Sequence, residues 1–309
     1  MDHWLRCVTM PSQPPRMTDD FYVAAHKHWP SRYWAEVSAL DFANAQCNGL
    51  AQRTIAILPV GAVEQHGPHL PLNVDTAIVE GILTAALPQL SPDLAVLILP
   101  TQAIGLSIEH QDYAGTLSLS PTTLLALWTE LGHCVARTGI HKLLIFNAHG
   151  GNVSSMDIVA RQLRMQCGLL VYHSSWFNLP MADDVHAAFS AHEHRFGIHA
   201  GEIETSMLLH LTPHLVDMAQ AQDFSSTSQE RAQTFQILGN GRSAKLGWAI
   251  QDYNPRGAVG NAAAADAQRG KALIDNAASS LAHMIREINA LPPTTIGATA
   301  APQSQHHGD

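Results

Sequence analysis

Short apolar runs of strand length alternate along this chain with longer stretches in which apolar residues recur every three or four positions. Residues 55–60 (IAILPV), 94–99 (LAVLIL), 142–146 (KLLIF) and 169–173 (LLVYH) read as strands. Residues 76–87, 122–138, 154–167, 202–211 and 262–291 read as helices. Pro88 closes the first helix, and Ser120 and Pro121 supply an N-cap and a first-turn residue to the second. This β-α-β-α rhythm predicts an α/β protein with a mainly parallel sheet and helices on both faces. In such sheets, binding sites gather outside the carboxyl ends of the strands. Residues 220–241, rich in Gln, Ser and Thr, carry no period and are expected to form a long loop. Residues 1–28 read as a flexible lead-in and 292–309 as a disordered tail, leaving 29–291 as one domain.

Composition narrows the class. Of 309 residues, 46% are hydrophobic and only 14% charged, so part of the surface is expected to be apolar or covered in a homo-oligomer. A net charge of -9 argues against a nucleic-acid or acidic-membrane partner. The four cysteines, Cys7, Cys47, Cys134 and Cys167, are scattered without a CxxC pair. They suggest neither a disulfide framework nor a thiolate zinc site, which fits a cytoplasmic protein. No apolar run reaches membrane-spanning length, and the N-terminus lacks a signal-peptide core.

Chemistry concentrates after the expected strand ends. The segment LPVGAVEQHGPHLPLNVD, residues 58–75, places Glu64, His66, His69 and Asp75 in a Gly- and Pro-punctuated loop. Carboxylates and imidazoles gathered this way suit zinc, manganese or iron; the alternative is a polar surface loop. FNAHGGN, residues 146–152, follows another strand, and its glycines let the backbone approach a ligand or form a plain tight turn. GIHAGEIETS, residues 197–206, carries His199, Glu202 and Glu204 into a helix. Glu202 suits a helix start, where acids are favoured, and Glu204 suits a buried ligand-facing position. No GxSxG elbow and no cysteine motif supports a nucleophilic hydrolase. GNGRSAKLGW, residues 239–248, fits a surface turn better than an anion site.

Together with GLSIEHQDYAGTLSLSP (residues 105–121), these motifs in this order closely resemble the creatininase family over roughly residues 34–288. The resemblance implies a three-layer α/β/α fold and a metal-dependent amidohydrolase. It would cleave a C–N bond of a small cyclic or linear amide with hydroxide held between two divalent ions per subunit, Zn, Mn or Fe. Glu64 and His66 would each bind a different ion, Asp75 would bridge them, and His149 would join the Glu64 ion. The family's glutamate two residues after that histidine is here Gly151, so Glu204 is expected to fill the gap. His199 matches the catalytic histidine, and Ser107 a substrate-contacting serine. Gly150 and Arg195 are expected to line the substrate, while Glu109 and His110 would orient substrate or support the ligands. Gly150 stands where creatininase has a tyrosine, and Arg195-Phe196 where it has Trp-Asp, which argues against creatinine. The resemblance points instead to the HGGN-type relatives, which include formylamide hydrolases and peptide-trimming enzymes of cofactor maturation. It also implies a homo-oligomer, with a hexamer as the family pattern. A lactone or C–C bond hydrolase on the same site, or a non-catalytic metal-binding protein, are the alternatives.

Overall fold

The computed structural model describes residues 27–297. Helix α1 (Ala39–Asn48) starts at a reciprocal capping box between Ser38 and Asp41, and a short α2 (Leu50–Arg53) follows. Strand β1 (Ile55–Val60) is buried throughout. Then come α3 (Val74–Ala86), β2 (Val96–Ile98), α4 (Pro121–Arg137), β3 (Lys142–Asn147), α5 (Val153–Cys167) and β4 (Leu170–Ser175). The four strands form one parallel sheet in the order β2-β1-β3-β4. Ile55 pairs with Val96 on one side and Lys142 on the other, and Lys142 pairs with Leu170, so the carboxyl ends of the strands meet along one edge.

Alternation along the strands divides the core into two layers. Ile55, Ile57, Val96, Ile98, Leu144 and Phe146 pack on one side with α3, with Met207 and Leu208, and with Leu273, Ala277 and Leu281 of the last helix. Ala56, Leu58, Leu97, Leu143 and Ile145 pack on the other with Ala45 of α1, Leu124 and Trp128 of α4 and Val159 of α5. This is a three-layer α/β/α fold. Each fully buried Leu or Ile contributes about 1.5–3 kcal/mol, so a sheet covered on both faces is the main source of stability.

Beyond β4 the chain forms α6 (Asp183–Ala187), α7 (Ala191–Phe196), α8 (Glu202–Leu211), β5 (Asp223–Phe224), α9 (Thr227–Thr234), β6 (Gly260–Asn261) and α10 (Ala267–Ala290). Two details depart from the sequence reading. Residues 220–241 are not a plain loop: β5 pairs antiparallel with β6, and Ser226 caps α9, a polar helix without an apolar face to betray it. The terminal helix begins at 267 rather than 262, because the Asp266 side chain takes the N–H groups of Gln268 and Arg269 and fixes the start there. Its far end is held by Lys142 Nζ, which donates to the carbonyls of Ile288, Asn289 and Leu291. The expected lead-in and tail lie outside the described residues, apart from 27–28 and 292–297, of which Pro293–Thr295 form a 3-10 turn. No helix among the described residues is long and apolar enough to cross a membrane.

Candidate metal centre

Three loops and two helix starts converge at the carboxyl edge of the sheet. The loop after β1 brings Glu64, Gln65, His66 and His69, and the first turn of α3 brings Asp75. The loop after β2 brings Ser107, Glu109 and His110. His149 follows β3, and the turn into α8 carries His199 and Glu204. The asparagines of the FNAHGGN segment, for which sequence reasoning found no role, lock these loops together. Asn147 Oδ1 accepts the His149 N–H at 3.0 Å, and Asn147 Nδ2 donates to Ser175 Oγ at 2.9 Å. Asn152 Nδ2 donates to the Gly61 carbonyl at 3.0 Å, while its Oδ1 accepts the Leu106 N–H at 3.1 Å.

The imidazoles are oriented by backbone carbonyls. His149 Nε2 lies 2.8 Å from the Leu106 carbonyl, which can only accept, so the proton sits there. Its Nδ1 faces Glu64 Oε1 at 3.3 Å and Asp75 Oδ2 at 3.4 Å, where a second proton sits unless a cation takes its place. His66 Nδ1 likewise donates to the Glu64 carbonyl at 3.1 Å. Its Nε2 faces Asp75 Oδ1 at 3.7 Å and Glu204 Oε2 at 3.9 Å. Asp75 thus offers one oxygen to each histidine. Glu64 Oε2, His66 Nε2 and Asp75 Oδ2 are buried without a hydrogen-bond partner. Buried polar atoms rarely stay unpaired, and orphaned ligating atoms of this kind clustered together are what a cation site requires.

Electrostatics point the same way. Burial pushes the Asp75 carboxyl well above the usual range, and the Glu64 charge adds to it. Burial raises Glu204 and Glu109 too. Burial would raise Glu64 as well, but the His149, His110 and His66 imidazoles hold it low. His149 resists burial and is pushed up to about 10 by Glu64 and Asp75. Burial and His199 push His66 well down, and His110 down to about 3. Four crowded acids strain against one another unless positive charge joins them. Ligand atoms group as Glu64–Asp75–His149 and His66–His199–Glu204, with Glu64–His110–His199 between, each within 4.8 Å. Nitrogen and oxygen donors without thiolate suit zinc, manganese or iron.

The other expected residues fall in different places. Ser107 is fully buried, with Oγ 3.3 Å from His149 Nε2, so it supports the imidazole from behind. Glu109 Oε1 lies 3.7 Å from the same nitrogen. Gly150 is exposed, and a side chain there would meet nothing within 4 Å. Arg195 is not brought into the cluster: its exposed guanidinium donates to the Gly239 carbonyl at 3.2 Å and lies over Phe196. His69 bonds Thr205 Oγ1 at 2.8 Å beneath the site.

Fold and centre together define an α/β protein whose histidines and carboxylates converge on one candidate cation site at the carboxyl edge of the sheet. The family described as creatininase, creatinine amidohydrolase, matches residues 37–285, and the chain belongs to it. It is 36% identical over 166 residues to the mycofactocin precursor peptide peptidase of Mycobacterium ulcerans, covering 52% of this chain and 59% of that protein. The chain thus spans little more than half the length of such relatives. It is 26% identical to the creatinine amidohydrolase of Pseudomonas putida, over 84% of this chain and 98% of that one. A solved manganese creatininase shares the fold, with a TM-score of 0.64 and 23% identity, over 84% of this chain and 100% of that one.

Proposed function

We propose that this chain is a metal-dependent amidohydrolase that cleaves a C–N amide bond. The observation that carries the reading is the shared Asp75: its two oxygens face His149 Nδ1 and His66 Nε2, and each ring is aligned by a backbone carbonyl. Divalent cations held by Glu64, Asp75, His149, His66 and Glu204 would activate water and polarise the amide carbonyl. His199 Nδ1 faces the same space, 3.9 Å from Glu64 Oε1. It is placed to take a proton from the attacking water and return it to the leaving nitrogen. The fixed N–H groups around Gly150 are candidates to orient the substrate oxygen.

The open space at Gly150 favours an extended amide over a ring held in an aromatic cradle. A peptide bond is therefore the second reading, supported by the likeness to a precursor peptide peptidase. Exposed Phe235, Ile237 and Leu238 support a homo-oligomer, for which sedimentation is the check. The function is tested by loading the purified protein with zinc or manganese and assaying creatinine, N-formyl amides, short peptides and lactones. Turnover of a linear amide and not of lactones is expected. Metal-loaded protein that turns over lactones alone, or nothing, would refute it.

A further inference from the structure

Gln65 sits between two candidate ligands, and its amide is fixed on both sides. Its Oε1 accepts the Gly67 N–H at 3.0 Å, and its Nε2 donates to the Gly257 carbonyl at 2.9 Å. A flipped amide would set oxygen against oxygen and N–H against N–H. The fit is tight: a Cβ at Gly257, where φ is +76°, would lie 2.2 Å from Gln65 Oε1. Only glycine lets the backbone come this close in this conformation.

The second hydrogen of Gln65 Nε2 meets His110 Nδ1 at 2.8 Å. An amide nitrogen only donates, so His110 Nδ1 accepts and the ring proton sits on Nε2. That N–H faces Glu64 Oε1 at 3.5 Å. The backbone carbonyl of the same Gln65 lies 2.9 Å from His199 Nε2. A carbonyl only accepts, so His199 is protonated on Nε2 and turns the Nδ1 lone pair to the centre. Gln65 Nε2 also lies 3.3 Å from His199 Nε2 but gives it no hydrogen, because the shorter bonds to Gly257 and His110 take both. The two rings stack with centroids 4.3 Å apart.

We propose that Gln65 is a positioning residue that fixes the tautomers of two stacked imidazoles, presenting His110 to the centre as an N–H donor and His199 as a lone-pair acceptor. The geometry stands by itself; its catalytic consequence rests on the amidohydrolase reading. His199 is then ready to accept a proton, and His110 supplies a hydrogen bond to negative charge beside Glu64. His110 is thereby removed from the cation ligands, although it groups closely with Glu64 and His199. Its centre-facing nitrogen already carries hydrogen.

The test is long-range proton–nitrogen NMR on the full chain with labelled histidine, without metal and with zinc, using His110→Gln and His199→Gln to assign the signals. Both rings of the unaltered protein should be protonated on Nε2. Gln65→Glu, which offers only acceptors when ionised, should move the His110 proton to Nδ1 and leave His199 unchanged, because the backbone carbonyl remains. Gln65→Met, which has no donor, should give His110 mixed tautomers while zinc content is kept. With a substrate in hand, kcat in both variants should fall on the order of tenfold or more with KM little changed. A His110 proton on Nδ1 in the unaltered protein, or an unmoved one in folded Gln65→Glu, overturns the proposal. The predicted tautomers without any amide turnover would overturn the amidohydrolase reading alone.

Discussion

Replacing Gly151 with alanine adds one carbon where the chain leaves no space for it. The new Cβ would lie 2.2 Å from the Leu106 carbonyl oxygen, 2.5 Å from Glu109 Oε1 and 2.5 Å from His149 Nε2. The Glu109 carboxylate can swing away. The Leu106 carbonyl is backbone, and its own N–H is tied to Asn152 Oδ1 at 3.1 Å. A relaxed carbon–oxygen contact is about 3.3–3.6 Å, so the loop must retreat by about 1 Å. The hydrogen bond from His149 Nε2 to that carbonyl is 2.8 Å long, and such a retreat takes it out of reach. Leaving a buried partner unsatisfied costs about 1–3 kcal/mol, and overpacking costs about 1–3 kcal/mol more. Urea unfolding of chelated Gly151→Ala should therefore show a loss of about 2–6 kcal/mol. The His149 ring also loses the contact that aims Nδ1 at the centre, and zinc affinity should drop by about 10–100-fold in a competition titration. Gly151→Glu, which restores the family's acid, should do worse, because a larger side chain meets the same wall. Normal urea unfolding together with normal zinc affinity in Gly151→Ala would refute this account of the centre.

Further outcomes follow from the same geometry. Asp75→Ala should take metal content from about two ions per chain to nearly none by plasma mass spectrometry; retention of one ion would show that Asp75 is not shared. Glu204→Gln should lower the content by about one ion only, and full retention would remove Glu204 from the ligands. In chelated protein, His149 is pushed up to about 10: burial opposes the shift, and Glu64 and Asp75 drive it. Its stabilisation is complete below the unfolded value of about 6.5 and is lost as pH rises toward 10, so the urea midpoint should fall across that window. A flat profile would contradict the pairing.

What could be read in the sequence was local. β1 and β3 announce themselves because strands covered on both faces are continuous apolar runs, and α4 because Ser120 and Pro121 mark its start. Glu64, His66 and Asp75 share one loop and one helix start, so their grouping was visible in a single segment. The parts that escaped depend on distant pairs. His149 is oriented by Leu106, 43 residues away, and Gln65 by Gly257, 192 residues away, through backbone carbonyls that any residue type provides. Arg195 shows the converse. It is close to His199 in sequence, but α7 ends at Phe196 and its guanidinium turns to Gly239.

Gly151 and Glu204 must be understood as a pair. The space beside Gly151 is not left open: the Leu106 carbonyl and the Glu109 carboxylate occupy it, and both come close only because no Cβ intervenes. The acid facing His66 comes instead from the first turn of α8, where the helix dipole favours a carboxylate, as it does for Asp75 on α3. Glu204 Oε2 also accepts the Ala200 N–H at 2.5 Å, and Ala200 holds φ +54° directly after His199. One turn therefore places a candidate cation ligand and the candidate proton carrier together, and strain in its backbone is held by the ligand's own carboxylate. A cation held by Glu204 would thus be tied to the placement of His199. A substitution at Glu204 should disturb the proton carrier as well as the ion, whereas an acid restored at 151 would meet the Leu106 carbonyl and repair neither.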